Sequence, residues 1–115
     1  MNRNYELMKV KLNLSNYQHE LENWEKYLKA NMSEVLESLI NENVTIESWF
    51  LEKSENGEVW LYAFWDPINS QEARNVAKSS SLLIDKVHKN FKQACWIKGS
   101  KVKIEQVFVA DLRNK

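Results

Sequence analysis

The chain has 115 residues, with 16 basic and 16 acidic side chains, a formal net charge of 0, one cysteine, 2 glycines and 1 proline. One domain of residues 1–115 is expected, large enough to bury a core. The neutral balance argues against nucleic acid as the main partner, the lone Cys95 excludes an internal disulfide, and the few Gly and Pro exclude long linkers.

The first element is a strand. In Tyr5–Leu14, Met8, Val10, Leu12 and Leu14 alternate with Leu7, Lys9, Lys11 and Asn13, the period of a half-buried strand. Ser15 or Asn16 suits a helix cap, and Tyr17, Leu21, Trp24 and Leu28 then recur at helical spacing. Met32, Val35, Leu36, Leu39 and Ile40 carry that stripe on. Asn31–Ser33 offer a break, with Ser33 as a second cap. Asn43 suits a helix stop because Asn tolerates the left-handed conformation.

Val44–Ser54 and Glu58–Asp66 read as a hairpin. Asn56-Gly57 supplies the positive φ angles that a tight turn requires. Pro67 ends the second of these strands. Asn69 and Glu72 have the spacing of a capping box, and Ala73, Val76 and Ala77 give a short helix that Ser79–Ser81 breaks. A longer helix from Leu82 to Trp96 places Ile84, Val87, Phe91, Ala94 and Cys95 on one face, and Gly99 stops it. Lys101–Leu112 then reads as a last strand, with Val102, Ile104, Phe108, Ala110 and Leu112 nearly in alternation.

This order predicts an α+β fold of ferredoxin-like βαββαβ type, a four-stranded antiparallel sheet with helices on one face. The other face should be polar if it meets water. Instead Trp60, Tyr62 and Phe64 lie on one side of the third strand, and Val59, Leu61, Ala63 and Trp65 on the other. Both faces being apolar, a homodimer through the sheet is expected. The alternative is the extra C-terminal helix folding over that face. No apolar run approaches the length of a membrane span, and Met1–Glu6 is too polar for a signal peptide. With the single cysteine, this points to the cytoplasm.

Charge is unevenly spread. Residues 1–43 carry 5 basic and 7 acidic side chains (−2), residues 44–66 carry 1 and 5 (−4), and residues 67–115 carry 10 and 4 (+6). The middle and the C-terminal part are therefore able to attract each other within a fold or across a dimer.

The stretch Val44-Thr45-Ile46-Glu47-Ser48-Trp49-Phe50-Leu51-Glu52, with Asp85, His88, Phe91, Cys95 and Trp96, resembles a family of small uncharacterised bacterial proteins of the dimeric α+β barrel group. The resemblance runs from the first strand to about Trp96. It implies the fold and the dimer. The wider group includes monooxygenases and mutarotases, whose sites lie between sheet and helices or inside the barrel. No catalytic set from those enzymes maps onto this chain.

His88 shares a helix face with Ile84, Val87, Phe91 and Cys95, and Asp85 lies three residues earlier. A carboxylate beside an imidazole fixes its tautomer and raises its pKa, which suits acid–base work. Glu47 shares a strand face with Trp49 and Leu51 and is the third candidate catalytic group. His19 reads as a surface residue and Cys95 as inert core. No metal-ligand spacing, phosphate loop or serine elbow is present, so no metal or cofactor is expected. Trp49, Trp60, Tyr62 and Phe64 are the expected walls of a pocket for a small apolar or aromatic metabolite. Three functions follow: a homodimeric binding module, a cofactor-independent enzyme using His88, Asp85 and Glu47, or a structural or regulatory dimer.

Overall fold

A computed structural model describes residues 3–114. Met1 and Asn2, part of the polar N-terminal stretch, lie outside the described residues. The elements in chain order are β1 (Glu6–Lys11), α1 (Tyr17–Ala30), α2 (Met32–Asn41), β2 (Glu47–Lys53), β3 (Val59–Trp65), α3 (Ser70–Ser79), α4 (Leu83–Cys95) and β4 (Val102–Ile104), followed by a 3-10 turn at Leu112–Asn114. Among the described residues the protein is an α+β fold with four helices and a four-stranded sheet in the order β2-β3-β1-β4. Every neighbouring strand pair is antiparallel.

The register separates two faces. Val10 lies opposite Leu61, which lies opposite Leu51; Met8, Ala63 and Trp49 form the adjoining row. The buried core builds on this side. Val10, Leu12, Val59 and Leu61 pack with Tyr17 and Trp24 of α1 and Phe91 and Cys95 of α4. A second cluster joins Leu39 of α2, Val44 and Ala73 of α3, with Trp65 packed against it. Residues of all four helices therefore pack on the face that carries Val59, Leu61, Ala63 and Trp65. The alternative in which the C-terminal helix covers the other face is thereby overturned, because α4 packs beside α1.

Several boundaries differ from the sequence reading. β1 stops at Lys11, Leu12 makes only an isolated bridge to Trp96, and Leu14 is exposed. The Asn13 carbonyl accepts from the Tyr17 N–H at 2.9 Å, which turns the chain into α1. Asn16 occupies the cap position, but its side chain donates to the Ala94 carbonyl at 2.6 Å. The helical stretch is broken at Asn31, whose backbone carbonyl accepts from Glu34 and Val35. Ser33 lies inside the first turn of α2 and is no cap.

β2 begins at Glu47, not Val44. The Thr45 and Ile46 N–H groups go instead to the buried carboxylate of Asp66, at 2.8 and 2.9 Å. In the hairpin turn only Gly57 takes a positive φ. Its N–H donates to the Ser54 carbonyl at 3.0 Å, and Asn56 contributes its side-chain oxygen to the Glu58 N–H at 3.1 Å. The Asn69 cap is as the sequence predicts, accepting from the Glu72 N–H at 3.0 Å.

The largest departure is the last strand. Only Val102–Ile104 pairs with β1, through Lys9, Met8 and Leu7. Residues 105–111 belong to no regular element, and Val107 is 96% and Phe108 82% exposed. A strand needs a neighbour, and within one chain β1 offers none past its own N-terminal end.

Candidate functional site

Two places bring chemistry together. The first lies where α1, α2 and α4 meet the start of β2. His88 is carried there by α4, whose residues Ile84, Phe91 and Cys95 are buried. The Trp24 indole donates to His88 Nδ1 at 3.0 Å. An indole N–H can only donate, so Nδ1 accepts and the ring proton of the neutral imidazole sits on Nε2. That nitrogen faces Glu47 Oε1 at 3.8 Å, and the same oxygen accepts from Trp49 Nε1 at 2.7 Å. Trp24 stacks on Phe91 with ring centroids 4.5 Å apart and meets Trp49 edge-on at 5.0 Å. Aromatic packing from three elements thus fixes the histidine.

The carboxylate set against the His88 ring is Glu47. Asp85, expected to orient His88, is turned toward α2, where its Oδ1 lies 3.2 Å from Ser38 Oγ. The pKa of His88 is lowered, not raised. Burial is the main cause, with Lys92 adding to it, and the Glu47 and Asp85 carboxylates oppose without outweighing it. Lys92, one turn further along α4, is also lowered by burial.

Ser38 Oγ lies 2.6 Å from Glu42 Oε2 as well. The Ser38 hydroxyl therefore stands between two carboxyl groups, with Glu42 the nearer acceptor. Glu42 is pushed up to about 7, chiefly by burial, with Asp85 and Glu47 adding and the Ser38 hydrogen bond and Lys92 opposing. Ser38, Glu42, Lys92 and Trp24 were not singled out from the sequence. The signal was there in part: Ser38 and Glu42 are four apart on α2, and Asp85, His88 and Lys92 form one stripe along α4.

The second place is the sheet face without helices. A groove of about 600 Å³ runs across it, lined by Leu7, Ile46, Phe50, Tyr62 and Phe64, with Glu52 at its polar end. The Tyr62 hydroxyl donates to Glu52 at 2.8 Å, and this bond raises the phenol pKa. Of the four expected aromatic walls, Tyr62 and Phe64 line this groove. Trp60 stands beside it on the same face, under Lys9 Nζ at 4.3 Å. Trp49 does not belong to it, because its ring packs against the core beside Trp24.

A second depression, of about 640 Å³, lies between the chain before β1 and the segment after β4. The Tyr5 hydroxyl is hydrogen-bonded to Asp111, and Arg113 holds the same carboxylate at 2.7 Å. Arg113 also lies 3.8 Å from Asp66, which is fully buried. Burial alone would raise the Asp66 pKa; the Thr45 hydroxyl, the Ile46 and Thr45 N–H groups and Arg3 outweigh it and hold it low. This cluster ties both chain ends to the β3 terminus.

Among the remaining candidates, His19 is exposed and sits 3.1 Å from Asn23. Cys95 is buried, and its thiol is pushed up to about 11 by burial. Among the described residues no three His, Cys, Asp or Glu side chains converge to hold a metal ion, and no helix is long and apolar enough to cross a membrane. Over residues 3–115 the chain matches a family of unknown function, DUF6176, and belongs to it. No curated protein matches the chain.

Proposed function

We propose that this member of DUF6176 is a cytoplasmic, homodimeric, ferredoxin-like domain of the dimeric α+β barrel type that binds a small, partly apolar molecule in the groove of its open sheet face. The strand order supports the fold. Taken from the other edge it is β4-β1-β3-β2, the arrangement of two interlocked βαβ units, with α1–α2 and α3–α4 as the crossovers.

The observation that carries the function is the groove. In the single chain it is a wide-open depression of about 600 Å³. Its walls are apolar, and one hydrogen-bonded pair, Tyr62 with Glu52, offers directional recognition at the rim. Phe50 is 57% exposed there, an unusual position for a large aromatic unless something covers it. A second copy laid over this face turns the groove into an interior cavity. The ligand class is a flat aromatic or short aliphatic molecule with one donor for the Glu52 carboxylate.

A second reading, cofactor-independent catalysis, is favoured by one specific observation. Neutral His88 stands 3.8 Å from Glu47, next to a carboxyl, Glu42, poised at about 7. One experiment separates the two. A panel of small aromatic and aliphatic metabolites is titrated by NMR against the wild type, Phe64→Ala and His88→Ala. Binding at the groove predicts shifts at Phe50, Tyr62 and Phe64, about tenfold weaker affinity in Phe64→Ala, and unchanged affinity in His88→Ala. Shifts centred on Trp24 and Glu47, with turnover that His88→Ala abolishes, would replace the binding reading by the enzyme. A panel without a single groove shift would sink the binding module.

A further inference from the structure

We propose that the groove of the open sheet face takes a zwitterion, a free apolar α-amino acid, with its carboxylate held by Lys9, its ammonium by Glu52 and its side chain against Phe50 and Phe64. The inference rests on the binding reading above and names the ligand class of that site.

The first observation is a cation without a counter-ion. Lys9 lies opposite Tyr62 of β3 and Val102 of β4, and alternation puts its side chain on the open face. Its Nζ stands 4.3 Å from the centroid of the Trp60 ring, and Lys11 Nζ stands 5.2 Å from the same ring. Glu58 neutralises one of the two, holding Lys11 Nζ at 2.5 Å. Among the described residues no carboxylate reaches Lys9. The residue is nonetheless partly buried. An ammonium held against an indole gives up hydration that a bound anion would replace.

The second is an anion without a cation. Glu52 lies opposite Trp60 from the β2 side. Its Oε1 accepts from the Tyr62 hydroxyl at 2.8 Å, and among the described residues no Lys or Arg reaches it. An ionised carboxylate has acceptor sites left after one such bond. The two charges also stand apart. β1 and β2 flank β3, which sets their backbones two strand spacings, about 10 Å, from each other. An amine and a carboxylate on one carbon, with a charge-assisted hydrogen bond of about 2.8 Å at each end, span about 8 Å. A zwitterion can therefore bridge Lys9 and Glu52 across Trp60 and Tyr62.

The third is what adjoins that pair. Leu7, Ile46, Phe50 and Phe64 line the groove, and Glu52 is the one charged residue among its walls. An apolar ligand alone would leave both charges unmet. A simple anion would face Glu52, and a simple amine would face Lys9. One molecule with both charges beside an apolar body meets all three demands.

The test is NMR titration of the full chain with L-phenylalanine, N-acetyl-L-phenylalanine, L-phenylalanine amide and 2-phenylethanol, on the wild type, Lys9→Gln and Glu52→Gln. Neither side chain belongs to the buried core, so circular dichroism should be retained. Phenylalanine should shift Phe50, Tyr62 and Phe64, and removing either ligand charge should weaken binding about tenfold. Glu52→Gln should no longer tell phenylalanine from its N-acetyl form, and Lys9→Gln should no longer tell it from the amide. Phenylethanol binding as tightly as phenylalanine, or discrimination that survives in both variants, overturns the zwitterion and leaves the binding module standing. So does silence from the charged compounds while uncharged metabolites shift the groove; silence from every compound removes the binding module as well. If both variants weaken self-association about tenfold in sedimentation and leave ligand discrimination unchanged, Lys9 and Glu52 face each other between copies, and the zwitterion is again overturned.

Discussion

Glu42 shows how one residue acquires a property its side chain alone does not have. It ends α2 beside Ser38, facing Asp85 and Lys92 from α4 and Glu47 from β2. Burial raises it from 4.5 to about 7, so between those values the folded protein holds a proton that the unfolded chain releases. Stability from this group is complete below about 4.5 and falls as pH rises to about 7. His88 works the other way. Its pKa is depressed, so the unfolded chain takes up a proton first and stability falls as pH drops below 6.5. Comparing Glu42→Gln with the wild type cancels the histidine. The amide cannot ionise, but its oxygen can still accept from Ser38. Thermal melts should show the Gln variant gaining on the wild type from pH 4.5 to 7, by a few degrees at the top. A difference that stays flat across that range would mean Glu42 titrates normally. Only the Ser38 partner, four residues away, was legible along the chain, because Asp85, Lys92 and Glu47 arrive from two other elements. For the same reason the sequence paired His88 with Asp85, its neighbour on one helix, while the structure sets it between Trp24 of α1 and Glu47 of β2.

At the scale of elements, termini decide more than propensities. α2 ends in a Schellman arrangement: the Val44 N–H donates to Leu39 at 2.9 Å and the Asn43 N–H to Ile40 at 3.2 Å. Val44 and Leu39 then pack together in the smaller core cluster. Asn43 sits at φ 56, the left-handed region, and its carbonyl also accepts from Ile68 and Arg3. Any residue that holds this φ keeps those backbone bonds. Asn43→Gly should therefore leave the urea midpoint unchanged or slightly raised, while Asn43→Ala should cost about 1 kcal/mol. Equal midpoints for the two would remove the strain argument. Elements of this kind are readable from sequence because their signals are local: Asn43 as a stop, Asn69 with Glu72 as a cap, Gly57 in the hairpin. The strand starts are less so. Val44–Ile46 has strand composition, but the Val44 N–H goes to Leu39 and those of Thr45 and Ile46 to Asp66, about twenty residues on. Lys101–Leu112 fails more instructively. Its alternation is real, but pairing is a property of two strands, and the chain supplies a neighbour only for Val102–Ile104.

At the scale of the whole molecule, the unpaired alternation and the uncovered face describe one deficit. One side of the sheet carries four helices and the other carries Phe50, Tyr62, Phe64 and Trp60 with no helix packed above them. Among the exposed large apolar residues, Leu14, Met32, Leu36, Ile40, Leu83, Ile97 and Leu112 lie apart, but Ile46, Phe50 and Leu51 follow β2, and Val102, Val107, Phe108 and Val109 follow β4. Single exposed apolar residues need no explanation, but rows of them along both edges of one sheet do. If a second copy covers them, folding and association are linked, and the folded state gains stability by mass action. The melting temperature should then rise steadily as protein concentration is raised from about 1 to about 100 µM, and the rise should disappear in a Val107→Asp/Phe108→Asp variant if the segment after β4 supplies the pairing. A melting temperature independent of concentration across that range, with a reversible transition, would describe a monomer whose apolar face is stable in water. Because the variant changes only residues already exposed in the single chain, its own melting temperature at the lowest concentration should match that of the wild type. Loss of the concentration dependence, rather than loss of stability, is then the signature of association through these edges.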